Sequence, residues 1–269
     1  MQTERGIEMY LELLKKTILF EIGQEYEEDI MGSVFKGVPL MGKLIDSSTK
    51  VDPERHKMGE IWPKMAHSMI GRMRMNNLQM CMESVLKQNI EGDFIETGVW
   101  RGGSCIFMRG FLKVYGVNNR KVWVADSFQG LPQPDEEKYP QDKGDKLYTL
   151  DYLRVSLQEV QNNFRKYGLL DENVQFLKGW FKDTLPVAPI EKLAILRLDG
   201  DLYESTMDSL TNLYDKVSDG GFIIIDDYVL PTCKPAITDF RRERNIQEPL
   251  IPIDNMAVYW QKQKNSAFK

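Results

Sequence analysis

Histidine is nearly absent from this chain: there are two in 269 residues, His56 and His67. Cysteine is scarce as well, with Cys81, Cys105 and Cys233 widely spaced and odd in number. No CxxC pair occurs and the histidines complete no zinc-ligand pattern, which argues against a zinc site or a disulfide framework. Such cysteine usage fits a reducing compartment, and the expected location is cytoplasmic. No apolar run reaches the roughly 18 residues that span a bilayer. The first residues, Met1-Gln-Thr-Glu-Arg-Gly, are polar, and Lys15 and Lys16 interrupt the first apolar stretch, which is unlike a signal peptide. An excess of basic residues is also missing. Thirty-five Lys and Arg against 40 Asp and Glu give a net charge of −5, so no nucleic-acid or membrane partner is expected.

What is present suits one large α/β domain with an appendage. Residues 7–22 read as an amphipathic helix through Met9, Leu11, Leu14 and Leu19. Residues 30–60 are rich in Gly, Pro and charge and read as loop. A second helix is expected over 76–87, where Leu78, Cys81, Met82 and Val85 recur every three or four residues. Residues 1–90 are therefore expected to form a helical cap and not an independent domain. Its methionines, among them Met69, Met73, Met75, Met80 and Met82, suit adaptable packing.

From Asp93 short apolar strands alternate with helices: strand Phe94-Ile95, helix Cys105–Tyr115, strand Lys121–Ala125, helix Asp151–Tyr167, then strands at Val174–Leu177, Leu193–Leu196 and Phe222–Ile225. Two final segments, Pro249–Asp254 and Ala257–Gln261, suggest antiparallel strands. This alternation implies a mostly parallel sheet with helices on both faces, in which ligands sit at the carboxyl ends of the strands. Gln129–Leu147 breaks the rhythm with Pro132, Pro134 and Pro140, and reads as a substrate lid or a solvated insertion.

Four motifs fall at strand ends. In Glu96-Thr-Gly-Val-Trp-Arg-Gly-Gly-Ser104, glycines permit a sharp turn into a helix. The spacing is not that of a dinucleotide site, and an acid two residues before the first glycine suits an ammonium better than a pyrophosphate; an ordinary Gly-rich turn is the plainer alternative. Asp126, after the second strand, is placed to accept hydrogen bonds from ribose hydroxyls. In Gly179-Trp-Phe-Lys-Asp-Thr-Leu-Pro186, Trp180 or Phe181 can stack on a base or belong to the core. Asp199 follows the fourth strand and Asp226-Asp227 the fifth, so three carboxylates converge. Their repulsion calls for a cation, and a hard divalent ion such as Mg²⁺ fits oxygen ligands with open positions. Asp201 reads as a cap or loop residue.

At these residues the sequence resembles the macrocin O-methyltransferase family, which contains sugar O-methyltransferases of macrolide and aminocoumarin biosynthesis. The matching stretches are Ala66–Gly71, Gly92–Gly103, Asp126–Pro132, Gly179–Pro186, Leu196–Thr206 and Gly220–Tyr228, in order, spanning about residues 60–262. The resemblance implies a Rossmann-like class I methyltransferase fold with a seven-stranded sheet over residues 91–262. It also implies S-adenosylmethionine and Mg²⁺ as cofactors, and a cap over 1–90 that acts as a lid and supports a homo-oligomer. The expected cofactor contacts are Met69, Glu96, Thr97, Gly98, Ser104, Asp126, Ser127, Gly179, Trp180, Phe181 and Asp199. The expected metal ligands are Asp199, Asp226 and Asp227, with Asp199 as catalytic base and His67 as the rival base. The implied partner is a small-molecule glycoside whose sugar hydroxyl is methylated, with a catechol-like phenol or a sugar amine as alternative acceptors. Arg72-Met-Arg-Met-Asn76 departs from the charged-Leu-Asp pattern expected there. Two other classes stay open, a non-catalytic small-molecule binder and a metal-dependent hydrolase; the second leaves the Glu96–Gly103 turn and Asp126 without a task.

Overall fold

Phe94 and Ile95 are neighbours in sequence yet belong to different cores, because successive side chains of a strand point to opposite faces. The computed structural model describes residues 3–35 and 49–263. Its strands are β1 (Asp93–Thr97), β2 (Val122–Asp126), β3 (Val174–Lys178), β4 (Leu193–Leu198), β5 (Val217–Ile225), β6 (Ile251–Pro252) and β7 (Val258–Gln261). They form one seven-stranded sheet in the order β3-β2-β1-β4-β5-β7-β6. β1 to β5 run parallel, whereas β7 is antiparallel to both β5 and β6.

Phe94, Val122, Val124, Phe222 and Ile224 face one apolar cluster; Ile95, Trp123, Ala125, Ile223 and Ile225 face the other. The first cluster is closed by α1 (Glu4–Ile18), α4 (Gly71–Lys87), α5 (Gly103–Val114) and α6 (Leu157–Lys166). The second is closed by α8 (Tyr203–Leu213) and α9 (Cys233–Glu243). Short helices α2 (Met31–Phe35), α3 (Pro53–Lys57) and α7 (Phe181–Thr184) complete the set among the described residues.

The N-terminal helices share their core with the sheet. Leu11, Leu14 and Ile18 of α1 are buried with Phe107 and Phe111 of α5. Leu14 Cδ2 lies 2.4 Å from where a Cβ on Gly110 would stand, so a larger residue there would force Leu14 to repack. Burying three such side chains contributes about 1.5–3 kcal/mol each toward holding α1 on the sheet layer.

Several sequence-based boundaries shift. The first helix runs over Glu4–Ile18, not 7–22, started by Thr3, whose hydroxyl accepts the Gly6 N–H at 3.3 Å. The second begins at Gly71, well before Asn76. Residues 30–60, expected as loop, hold α2 and α3; positions 36–48 of that stretch lie outside the described residues. The helix expected over Asp151–Tyr167 begins only at Leu157. Asp151–Leu153 is a separate 3-10 turn, and Ser156, in extended conformation, accepts the Glu159 N–H at 3.2 Å and starts α6. Leu153 continued the apolar stripe by coincidence of spacing.

The 129–147 segment is fixed to the body of the protein. Asp142 is fully buried and accepts the backbone N–H groups of Tyr203 (2.6 Å) and Glu204 (3.0 Å), capping α8 from a distant part of the chain. An N-terminal cap of this kind contributes about 1–2 kcal/mol. Asp142→Ala is therefore expected to lower the unfolding free energy by that amount in urea titrations, with Asp142→Asn recovering part of it. Equal stability of the Ala variant and the unmodified protein would contradict the capping role.

Candidate active site

The hydrogen-bond ladder runs on beyond the strand ends. Gly98 N donates to Ala125 O, Asp199 N to Thr97 O, Asp226 N to Leu198 O and Gly179 N to Asp126 O, each at 2.9 Å. The chain therefore lines up the residues that follow β1 to β5 along one edge of the sheet. Between β1 and β4 the strand order reverses direction, and the crevice there is where α/β sheets bind ligands. A cavity of ≈ 570 Å³ opens at this edge.

Of the expected site residues, Met69, Gly98, Asp126, Ser127, Gly179, Trp180 and Phe181 line this cavity, as do Asp199, Asp226 and Asp227. Glu96, Thr97 and Ser104 lie behind its wall and are buried. Asp126 is oriented by two backbone donors, Val99 N–H to Oδ2 at 2.8 Å and Phe128 N–H to Oδ1 at 2.6 Å. Burial raises its carboxyl against those bonds. Trp180 packs into neither apolar cluster, whereas Phe181 rests partly on the second one. Gly98, at φ +86, is required by packing: a Cβ there would fall 1.8 Å from the carbonyl oxygen of Asp199.

Asp199, Asp226 and Asp227 each offer a carboxylate oxygen within 4.8 Å of the other two. Part of the expected repulsion is relieved by arginine. Arg197 is buried at the end of β4, where its Nη1 donates to Glu96 Oε1 and, at 2.7 Å, to Asp199 Oδ2, and its Nη2 donates to Asp226 Oδ1. Arg74 of α4 donates from Nη1 to Asp226 Oδ2 and from Nε to Asp254 Oδ2 at 3.0 Å. Asp227 has no arginine partner among the described residues; its Oδ2 accepts the Asp201 N–H at 3.2 Å. Asp201 holds this N–H in place from a left-handed backbone conformation, φ 58.

Two guanidinium charges thus face the carboxylates of Glu96, Asp199, Asp226 and Asp254, Asp227 meets neither, and acids outnumber arginines here. Burial, then the charge of Asp226, pushes Asp199 up to about 6. Burial, then Asp201 and Asp199, holds Asp227 well above the usual carboxylate range. Glu96 is raised to about 7 by burial against the pull of Arg197. Hard oxygen donors with surplus negative charge, in a cavity, fit a divalent cation.

His67 does not line the cavity. Its Nδ1 lies 2.7 Å from the Tyr167 hydroxyl, its N–H donates to Ile18 O at 2.8 Å and its carbonyl accepts the Gly103 N–H at 3.0 Å. The rival base of the sequence reading is therefore a packing residue between cap and sheet. Arg197 and Arg74 were missed by that reading. A cation inside the apolar strand Leu193-Ala-Ile-Leu-Arg-Leu was the available signal, since a buried guanidinium requires anions.

The sheet order and the occupants of its edge define a class I methyltransferase, a fold that uses S-adenosylmethionine. The sequence matches the family model for macrocin O-methyltransferase (TylF) over residues 7–262. It is 46% identical to the mycinamicin III 3''-O-methyltransferase of Micromonospora griseorubida, over 97% of this chain and 99% of that one. It is 48% identical to the demethyldecarbamoylnovobiocin O-methyltransferase of Streptomyces niveus, over 97% of this chain and 96% of that one. The crystallised O-methyltransferase NovP superposes with a TM-score of 0.85 at 46% identity, covering 96% of this chain and all of that one. The chain belongs to the macrocin O-methyltransferase family, as its motifs suggested. No helix among the described residues is long and apolar enough to cross a membrane.

Burial, then Lys166 and Arg101, lowers the His67 imidazole from 6.5 to about 4. A folded-state value below the unfolded one means that the unfolded chain takes up the extra proton as pH falls from 6.5 toward 4. The stabilisation by neutral His67 is complete above that window and lost through it. The stability gap between the unmodified protein and His67→Asn should therefore narrow from pH 7 to pH 4.5 in denaturant titrations. A gap independent of pH would show that His67 is not held neutral.

Proposed function

We propose that this enzyme transfers the methyl group of S-adenosylmethionine to a sugar hydroxyl of a small-molecule glycoside, assisted by Mg²⁺. The observation that carries this reading is the convergence of Asp199, Asp226 and Asp227 in the same cavity as Asp126, Gly98 and Trp180. The names of the relatives support the acceptor class. One is a 3''-O-methyltransferase of mycinamicin III, and another, from Streptomyces olivaceus, is a 4'-O-methyltransferase of a rhamnosyl tetracenomycin C, 44% identical to this chain.

S-adenosylmethionine supplies an electrophilic sulfonium methyl, and Asp126 on its ribose with Trp180 beside its base would hold it at the edge of β1 and β2. Asp199, Asp226 and Asp227 would hold Mg²⁺, whose charge makes an alcohol easier to deprotonate and fixes its approach. Asp199 would take the hydroxyl proton. Arg197 holds one of its oxygens at 2.7 Å, which orients the other toward the metal and the acceptor. Met69 and residues 59–62 line the cavity from the N-terminal cap and would serve as its lid. Glu96, Thr97 and Ser104 support the Gly-rich turn from behind, Glu96 through its pairing with Arg197. Ser127, Gly179 and Phe181 complete the cofactor wall. Self-association through the N-terminal region belongs to the same reading, and Met9, Leu13, Ile22 and Tyr26 are exposed there. A cytoplasmic location suits its free, buried cysteines.

The test is incubation with labelled S-adenosylmethionine and a panel of glycosides, catechols and amino sugars, with and without EDTA. Label on a glycoside hydroxyl, abolished by EDTA and restored by Mg²⁺, is expected. Activity indifferent to EDTA would remove the metal, and label on nitrogen or on a phenol would move the acceptor class. Two variants separate the roles. Asp199→Asn should leave cofactor affinity intact and lower turnover at least about a hundredfold. Asp126→Ala should weaken cofactor binding in calorimetry by about 1.5–3 kcal/mol, the worth of a charge-assisted hydrogen bond. Turnover preserved in the first variant, or affinity preserved in the second, would refute the corresponding role.

A further inference from the structure

Arg74 is buried and its guanidinium reaches three separate segments of chain. From Nη1 it donates to Asp226, at the end of β5. From Nε it donates to Asp254 Oδ2 in the β6–β7 turn at 3.0 Å. From Nη2 it donates to the carbonyl oxygens of Gly59 at 2.9 Å and Met58 at 3.3 Å. The last contact depends on glycine: residue 59 adopts φ +67, and a Cβ there would stand 2.3 Å from Nη2 and 2.4 Å from Ile70 O.

These segments form part of the cavity wall. Gly59, Glu60 and Ile61 line the cavity from the N-terminal side, and Met256 lines it from the C-terminal turn. Asp254 in turn fixes that turn, since its Oδ1 accepts the N–H groups of Met256 (2.8 Å) and Ala257 (2.9 Å). None of Arg74's partners belongs to the cofactor wall of Asp126, Ser127, Gly179 and Trp180. One planar, always-charged fork therefore ties two pieces of wall to one acid of the proposed metal set, a task a lysine ammonium cannot reproduce.

We propose that Arg74 is a positioning residue that sets the 58–61 and 254–256 walls in register with Asp226, so that metal occupancy and order of the acceptor side are coupled. The inference rests on the metal reading of Asp199, Asp226 and Asp227 given above. Electrostatics and positioning predict different outcomes here. A positive charge beside Asp226 by itself disfavours a second cation, so a variant that keeps the charge and loses the fork isolates positioning.

Arg74→Lys is that variant. Calorimetry with Mn²⁺ should give about tenfold weaker binding, the usual effect of removing a group that orients a metal ligand, while the affinity for S-adenosylhomocysteine is unchanged. Hydrogen exchange at amides 58–62 and 254–257 should speed up about tenfold without change at 97–103. Unchanged Mn²⁺ affinity and unchanged exchange would overturn the proposal. So would a uniform loss in which both ligands weaken and exchange rises throughout, because that marks a merely structural arginine. Should the variant fail to fold, the unmodified protein decides. Adding Mn²⁺ should slow exchange at 58–60, amides that belong to no proposed metal ligand, and the absence of slowing with Mn²⁺ bound would refute the coupling. Failure of the unmodified protein to bind Mn²⁺ at all would instead count against the metal reading, leaving the exchange comparison with Arg74→Lys to judge the residue.

Discussion

A guanidinium enclosed by protein is costly unless every side of it meets an acceptor, and Arg197 meets three acids at once. Its partners come from β1, from the turn after β4 and from the end of β5, so the ion cluster can form only when these strands are in register. The reverse also holds: with Arg197 absent, Glu96, Asp199 and Asp226 would face one another across a few ångströms of low-dielectric interior. The chemistry of the edge and the assembly of the central sheet are therefore one constraint. Asp199 inherits its orientation from it, and Asp227, which bonds to neither arginine, has its charged form disfavoured by burial and by the neighbouring acids.

The N-terminal region obeys the same logic from the outside. Among the described residues its helices form no second core; α1 and α4 close the first apolar cluster against α5, with Leu14 in the space left by Gly110. From that anchorage α4 sends Arg74 to the acids and the preceding segment sends Met69 to the cavity. His67, one of only two histidines and so a tempting base, is used in this docking through both its backbone groups and its ring. The stability of the cap and the shape of the site are consequently hard to separate.

The residues readable from sequence were those governed by short-range rules. Short apolar runs alternating with helices gave the parallel sheet, and with it the prediction that Asp126, Asp199 and Asp226-Asp227 gather at one edge. Spacing alone misled at Leu153, which kept a helical rhythm through a turn that Ser156 ends. Arg197 and Arg74 escaped notice for a different reason. Their partners lie up to 101 and 180 residues away, and no local pattern encodes such pairings. The partners of Glu96 were hidden for the same cause: the sequence shows an acid beside a glycine turn, and the fold reveals that its carboxylate meets Arg197 and the Cys105 thiol. Asp142, in a loop with no periodicity, became interpretable only once α8 was seen to begin under it.

The contact between Gly98 and the carbonyl of Asp199 has one more effect. Because main chain rests on main chain there, the spacing between the first turn and the backbone of Asp199 is fixed by peptide dimensions, and no rotamer change can lengthen it. A side chain at residue 98 would have to push the peptide that follows β4 away from the turn that follows β1.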